Sequence, residues 1–488
     1  MRGAQVNNRV IAKSWVSVKD KHCSNCSRVV EKLFNLQGLD TDTVWTHKSC
    51  TCNELIALKN RHQLFDGHTY TTQLDLKGVL KRKAKRLTAV SYDIVISHAK
   101  SGKKQLLKSA KESLANKPLT QQDGRVRMFL KDDKYHTEII GAPRCIQYRN
   151  KRYCLPLASY LMPIEEYVYS WIDESGTAIF AKARNHTQRG RDIQAKFDHF
   201  RHPVVLSMDH SKFDSHVNMD LLEVEHDFYR SCNRSKELAK LLKMQKHNFG
   251  LTKNGTTYYT PGTRMSGDQN TGLGNSLLNY AMTIALLESL QLKACYYFDG
   301  DDYLIFMDRS NVNKIQPNMY NQFGMVTKLD SVATQMESIE FCQCRPVWDG
   351  DGYTMVRNPM RMITRLPWLI GRYGEKYKKN YIYSVGLCMM SIGCGLPVEQ
   401  YIGEQLSKGG GLYKVTSQHH PASKMQFKPG RAKVIEPSVR TRQSYWQAWN
   451  ITPQEQERLE NLQYCQPTSS GLEEQPFARF YYGTKKSH

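Results

Sequence analysis

The sequence predicts an α+β fold organised around an antiparallel sheet, and three stretches carry that prediction. Residues 296–306 read as two short apolar strands folded back on each other, with Gly300, Asp301 and Asp302 at the tight turn. Residues 203–208 form a β-rich apolar run that ends on Asp209. Residues 275–291 form a long apolar helix, fed by the small polar loop 266–275. Helices are expected to cover the far face of the sheet.

The hairpin has a chemical consequence. A bend of this kind pushes the adjacent carboxylates of Asp301 and Asp302 out at its tip, where neither strand can bury them. Two ionised neighbours repel, so the arrangement is costly unless a cation sits between them and a third acid. Asp209 supplies that acid. Asp214 follows five residues later, where a helix through Val217 to Tyr229 is expected to begin. Between the acidic segments stand Ser266, Gly267, Thr271 and Asn275.

Each motif alone has a plain structural reading. Gly-Asp-Asp is a common surface turn, Asp is a favoured helix cap, and Ser-Gly-x3-Thr serves as an ordinary loop. Their joint order is Asp-x4-Asp, Ser-Gly-x3-Thr-x3-Asn, then Gly-Asp-Asp, each beside the expected strand or helix. In that order the chain resembles the RNA-dependent RNA polymerases of positive-strand RNA viruses.

The resemblance implies a right-hand fold of fingers, palm and thumb, with an antiparallel palm sheet. It implies two Mg (or Mn) ions, with Asp209 and Asp301 as direct ligands and Asp302 as a supporting acid. Two ions roughly 3.5–4 Å apart suit phosphoryl transfer, one at the primer 3′-hydroxyl and one at the triphosphate. It also implies that Asp214, Ser266 and Asn275, with Thr271 as a further contributor, read the ribose 2′-hydroxyl that separates RNA from DNA building blocks, and that Gly267 belongs to the nucleotide-binding set.

Two further segments extend the likeness. Residues 125–152 are similar to the fingers motif whose basic side chains line the nucleotide channel. Arg144 and Arg149, then Lys131 and Arg152, are the expected triphosphate contacts, since Arg grips phosphate oxygens bidentately. Solvated surface charge is the alternative for each. Lys328, in Phe323-Gly-Met-Val-Thr-Lys328, resembles the Lys that protonates leaving pyrophosphate, or is a plain exposed Lys. Residues 341–359 read as a hairpin with a Gly-rich turn, positioned like a primer grip, with Cys342 and Cys344 on one strand face. The spelling Pro143-Arg-Cys-Ile-Gln-Tyr-Arg149, Tyr160-Leu-Met-Pro-Ile-Glu165 and Met355-Val-Arg-Asn-Pro359 is similar to the tombusvirus-like polymerases.

Composition agrees. Lys and Arg outnumber Asp and Glu by 69 to 46, a net charge of +23 that would steer a polyanion and make its binding salt-sensitive. No run of 18 apolar residues exists, which excludes a membrane-spanning helix. The opening residues are polar, and 13 Cys in a chain without a secretory signal suggest reduced cytosolic thiols.

The expected division is 1–118 as a basic N-terminal region and 119–200 as fingers, with part of 215–265. Palm at 201–360, thumb at 361–442, and a C-terminal helix and tail at 443–488 complete it. Within the first region Cys23, Cys26, Cys50 and Cys52 read either as a structural Zn knob, with His47 able to replace one thiol, or as buried thiols. Expected partners are RNA template and product, NTPs, and a viral membrane-anchoring replication protein. The expected location is the host cytoplasm at membrane-associated replication sites. A reverse transcriptase and a basic RNA-binding scaffold are the rival readings. The first prefers aromatic-x-Asp-Asp and a bulky residue in place of Asp214; the second has no need of intact carboxylates.

Overall fold

The computed structural model describes residues 15–18, 23–36, 43–62, 68–136, 141–371, 374–413 and 429–465. At its centre lies a four-stranded sheet in the order Cys295–Asp299, Asp302–Asp308, Pro203–His210, Thr327–Ala333, with every neighbouring pair antiparallel. Successive side chains of a strand point to opposite faces. Val204, Leu206, Met208, Tyr303, Ile305 and Met307 therefore enter one core with Leu221, Leu277 and Ala281 from the helices Met219–Cys232 and Thr271–Ser289. Val205, Leu304 and Phe306 enter a second core with Ile193, Tyr297, Phe341 and Met355. Asp209 and Asp302 have the parity of this second face, and they project where its apolar packing ends.

Local chemistry adjusts the expected boundaries. Asp214 does not open the long helix. It lies in a single turn, Phe213–His216, entered through Lys212 at φ +52°, and Asn218 then caps Met219–Cys232 by accepting from Leu221 N–H at 2.9 Å. The apolar helix starts earlier than expected, at Thr271, so the Thr271–Asn275 segment forms its first turns rather than a loop. Cys342 and Gln343 adopt left-handed φ values of 51° and 61°, which puts Cys342 outside the strand Cys344–Trp348 and off the shared face expected for the two thiols.

A second sheet of five strands runs Trp15–Ser17, Thr257–Pro261, His247–Thr252, Val126–Leu130, Cys145–Arg149. It joins residues distant in sequence, including the chain's early segment. That segment is not the separate region expected for 1–118. Strand Val44–His47 pairs with Tyr135–His136, Glu31–Lys32 with Trp368–Leu369, and Asn35–Leu36 with Tyr464–Cys465. Leu76, Val79 and Leu80 are buried in the main core. Backbone donors of short strands need partners, and here the five-stranded sheet, residues 135–136 and the C-terminal part supply them.

Towards the C-terminus, helices Glu375–Ile392 and Glu399–Ser407 meet at Gly386 and Gly403, where a Cβ on either would lie 2.7 Å from the other's carbonyl oxygen. Thr452 and Glu455 form a reciprocal cap on Pro453–Glu460, as the Thr-Pro signal predicts. The basic, Pro-containing stretch 414–428 and the polar tail beyond 465 lie outside the described residues. Among the described residues no helix is long and apolar enough to cross a membrane.

Candidate active site

The sheet register builds the acidic cluster. Asp209 is the direct cross-strand partner of Asp302, and Lys328 is its partner on the other side. Directly opposed residues have Cβ atoms about 4.5–5.5 Å apart. Gly300, at φ +76°, and Asp301 form the two-residue turn between Asp299 and Asp302. The turn is fastened to the apolar helix: Gly300 N–H donates to Ser276 Oγ at 3.1 Å, and Asn279 Nδ2 donates to Gly300 O at 2.9 Å. His210, buried next to Asp209, bonds Thr327 Oγ1 at 2.8 Å and Asn279 Oδ1 at 3.2 Å, which links three elements behind the acids.

These carboxyls are electrostatically unsatisfied. Burial, then Asp301 and Asp330, push Asp209 up to about 6, with Lys328 pulling the other way. Burial, then Asp301, Asp209, Asp299 and Asp330, push Asp302 up to about 7. Asp301 is exposed at the tip, yet the surrounding walls desolvate it and Asp214 and Asp299 add repulsion, so it too is raised. Among the described residues no Lys or Arg forms an ion pair with any of the three. Neighbouring Asp299, by contrast, is held by Lys182 at 2.9 Å and Arg189 at 2.8 Å. Burial would raise Asp299, but those two cations outweigh it and hold its carboxyl below the ordinary range.

Three hard oxygen donors without an ion-paired Lys or Arg among the described residues fit Mg²⁺ or Mn²⁺. Among the described residues the three acids do not form a group with every ligand oxygen within 4.8 Å of the others. Asp302, expected as a supporting acid, is the one in register with Asp209; Asp301 projects beside them from the turn.

A second network shapes the floor. Asn275 Nδ2 donates to Asp214 Oδ1 at 2.7 Å, while Arg264 Nε donates to Asn275 Oδ1 at 3.0 Å. The Arg264–Glu225 ion pair beneath is fully buried, and Glu225 also accepts from Asn270 at 2.6 Å. The chain Glu225–Arg264–Asn275–Asp214 thus fixes which way the Asn275 amide faces. Ser266 Oγ donates to Cys145 O at 3.0 Å, and Gly267 N–H donates to Gln147 O at 2.7 Å. A Cβ at Gly267 would sit 2.6 Å from that same carbonyl oxygen, so only glycine allows this seam. Thr271 Oγ1 is turned onto the backbone oxygens of Met265 and Asp268, at 2.9 and 3.0 Å, where it closes the loop on itself.

The basic residues divide. Arg149 is not a triphosphate contact: its guanidinium is buried, paired with Asp268 at 2.6 Å and bonded to Gly124 O and Asn248. Arg152 is likewise occupied, by Asp123 at 3.0 Å, Ser113 Oγ at 2.6 Å and two backbone oxygens. Their spacing on a strand end and helix start matched a binding motif, but their donors are spent on the fold. Arg144 is half exposed, pairs with Asp133 at 2.7 Å, and lies close enough to Asp301 to feel its charge. Lys131 stands 3.7 Å from the same Asp133.

One cation at the site was not foreseen. Arg61, in the last turn of helix Thr51–His62, acts electrostatically on both Asp301 and Cys145, and its buried Nε has no hydrogen-bond partner among the described residues. It lies some 240 residues from Asp301 in sequence, and only the tertiary fold brings it there.

Residues 47–465 match the family model described as viral RNA dependent RNA polymerase. The chain belongs to that family. The RNA-directed RNA polymerase of Tobacco necrosis virus (strain A) is 32% identical over 395 residues, 77% of this chain and 54% of the relative. That of Carnation mottle virus is 31% identical over 405 residues, 78% of this chain and 52% of the relative. That of Melon necrotic spot virus is 34% identical over 311 residues, 61% and 39% respectively. The resemblance to tombusvirus-like polymerases therefore holds. The chain spans about half the length of the first two relatives.

Proposed function

We propose that the chain copies RNA from an RNA template: it adds a nucleoside monophosphate from NTP to an RNA 3′-hydroxyl, releases pyrophosphate, and so replicates a positive-strand viral genome. The observation that carries this reading is the trio Asp209, Asp301 and Asp302, unneutralised by any Lys or Arg ion pair among the described residues, beside the Asp214–Asn275 pair. The trio would hold two Mg²⁺ (or Mn²⁺) ions, which when bound offset triphosphate charge and make the 3′-hydroxyl a better nucleophile.

The chain's own side chains do the remaining work. Asp214 accepts from Asn275 through one oxygen and presents the other to the ribose 2′-hydroxyl; Ser266 and Gly267 hold the seam that keeps this pocket shaped. Arg144, Lys131 and Arg61 receive the triphosphate. Lys328, across from Asp209, is positioned to return a proton to the leaving pyrophosphate.

In this reading the central sheet and residues 201–360 are the palm of a right hand. The fingers are 119–200 with part of 215–265, the thumb is 361–442, and 443–488 form the C-terminal helix and tail. The excess positive charge holds template and product. Work at membrane-associated sites in the host cytoplasm would rely on a viral membrane-anchoring partner.

Incubation of the purified chain with a short RNA, Mg²⁺ and labelled NTPs tests the proposal. Template-dependent extension is expected, and its loss in folded Asp209→Asn and Asp302→Asn. Extension by both variants at the wild-type rate would overturn it.

A further inference from the structure

Outside the acidic site, one cluster among the described residues has ligand geometry. Among the described residues, Cys23, Cys26 and Cys50 are the group whose ligand atoms all lie within 4.8 Å of one another. Tetrahedral Zn²⁺ with bonds of about 2.3 Å sets sulfur atoms about 3.8 Å apart, so small side-chain adjustments close the set. Cys52, in the first turn of helix Thr51–His62, is near enough to Cys26 for its charge to be felt there. His47, the alternative fourth ligand, lies outside that group; its Nε2 bonds Gly141 O at 3.0 Å and its ring packs on Tyr135.

The backbone around the thiols is held in place. Lys48 N–H donates to Cys26 O at 2.9 Å, and Asn53 Nδ2 donates to Cys26 O at 2.6 Å and to Lys48 O at 2.9 Å. The two halves, a Cys-x2-Cys turn and a Cys-x-Cys at a helix start, are therefore bound to each other by these hydrogen bonds. Thiolates at the start of a 12-residue helix also meet the positive end of its dipole.

The other end of that helix reaches the active site. His62 Nε2 and Gln147 Nε2 are 2.9 Å apart, and Gln147 O accepts from Gly267 N–H, so the helix end touches the seam beneath the nucleotide pocket. Arg61, one residue earlier, is near enough to Asp301 for its charge to be felt there. In the first turn, Glu54 accepts from Asn254 Nδ2 at 2.9 Å and fastens the helix to the second sheet.

We propose that Cys23, Cys26, Cys50 and Cys52 bind one structural Zn²⁺ that fixes the start of helix Thr51–His62 and thereby holds Arg61 beside the catalytic carboxylates. Each ligating thiol gives its proton to solvent as the ion binds. The tethering half of this statement rests on the polymerase reading; the metal site does not.

The full chain, purified in reductant without chelator, tests it by elemental mass spectrometry. About one zinc per chain is expected. Zinc is expected to fall away in Cys23→Ser and Cys50→Ser, and to remain in His47→Ala and in Cys394→Ser, whose thiol is remote. Because a Ser variant can fail to fold, cobalt(II) exchange into wild type is read in parallel; a thiolate-to-cobalt absorption band is expected. Wild type lacking both zinc and the cobalt band would overturn the site, and zinc loss in His47→Ala would overturn the four-thiol set. For the tether, folded Cys52→Ser should raise the NTP KM about tenfold with little change in kcat, the pattern of lost ground-state binding. Loss of zinc with an unaltered KM in that variant would overturn the tether and leave the site standing, whereas absence of any RNA synthesis by wild type would count against the polymerase reading alone.

Discussion

Two charged regions stand close together in this molecule and are built on opposite rules. Beneath the loop 266–275, Arg149 meets Asp268 and Arg264 meets Glu225, all four side chains almost wholly buried and every charge matched. On the neighbouring sheet face, Asp209, Asp301 and Asp302 crowd together with no ion-pair partner among the described residues. Matched buried ions fix geometry; removal of one partner leaves a stranded charge. Unmatched acids of one sign store repulsion that a divalent ion relieves. Burial with compensation therefore marks the frame, and burial without it marks the chemistry.

The contrast predicts different failures. The largest effect belongs to the acids: Asp302→Asn should lower nucleotide incorporation by about a thousandfold or more, the scale of losing a central electrostatic group, while the melting temperature holds or rises as repulsion is relieved. Primer extension and calorimetry on the same preparation check both halves. Arg264→Met should behave in reverse, destabilising the fold by about 3–5 kcal/mol in denaturant titration because Glu225 stays buried and unpaired. Adding Glu225→Leu should recover much of that loss. If the single variant melts like wild type, the network is not the frame described here.

Smaller effects sharpen the site. Asn275→Ala frees Asp214 from its Asn275 donor and should lower discrimination between NTP and dNTP by about tenfold, the value of roughly one polar contact. Competing-substrate kinetics measures it. The pH dependence follows from the raised carboxyls. In the folded state Asp209 titrates at about 6 and Asp302 at about 7, above their ordinary values. The folded protein thus holds protons that the unfolded chain has lost, so metal-free stability is greatest below about pH 4 for these groups and declines as pH rises to about 7. Mg²⁺ competes with those protons. Its stabilising shift in melting temperature should be negligible near pH 5 and full near pH 8, and a shift independent of pH would count against these acids as the ligands.

Much of this was legible in the sequence, for physical reasons that differ by residue. Gly300 followed by two acids between apolar runs admits little besides a hairpin, but that Asp302 rather than Asp301 stands opposite Asp209 depends on the pairing register of distant strands. The roles of Arg149 and Arg152 were not legible, because a donor's availability depends on partners such as Asp268 and Asp123 that lie far away in the chain. Arg61 escaped notice for the same reason. The early segment was read as a separate region because its strands are two to four residues long and carry no periodicity; their pairing with residues 135–136, 368–369 and 464–465 is a tertiary fact.

The central claim is that the unpaired acids are a divalent-ion site. Mn²⁺ binding to the purified chain, followed by electron paramagnetic resonance at pH 8, tests it most directly. Wild type should take up Mn²⁺, Mg²⁺ should displace it, and folded Asp209→Asn/Asp302→Asn should leave it free in solution. Equal uptake by wild type and the double variant would contradict the account.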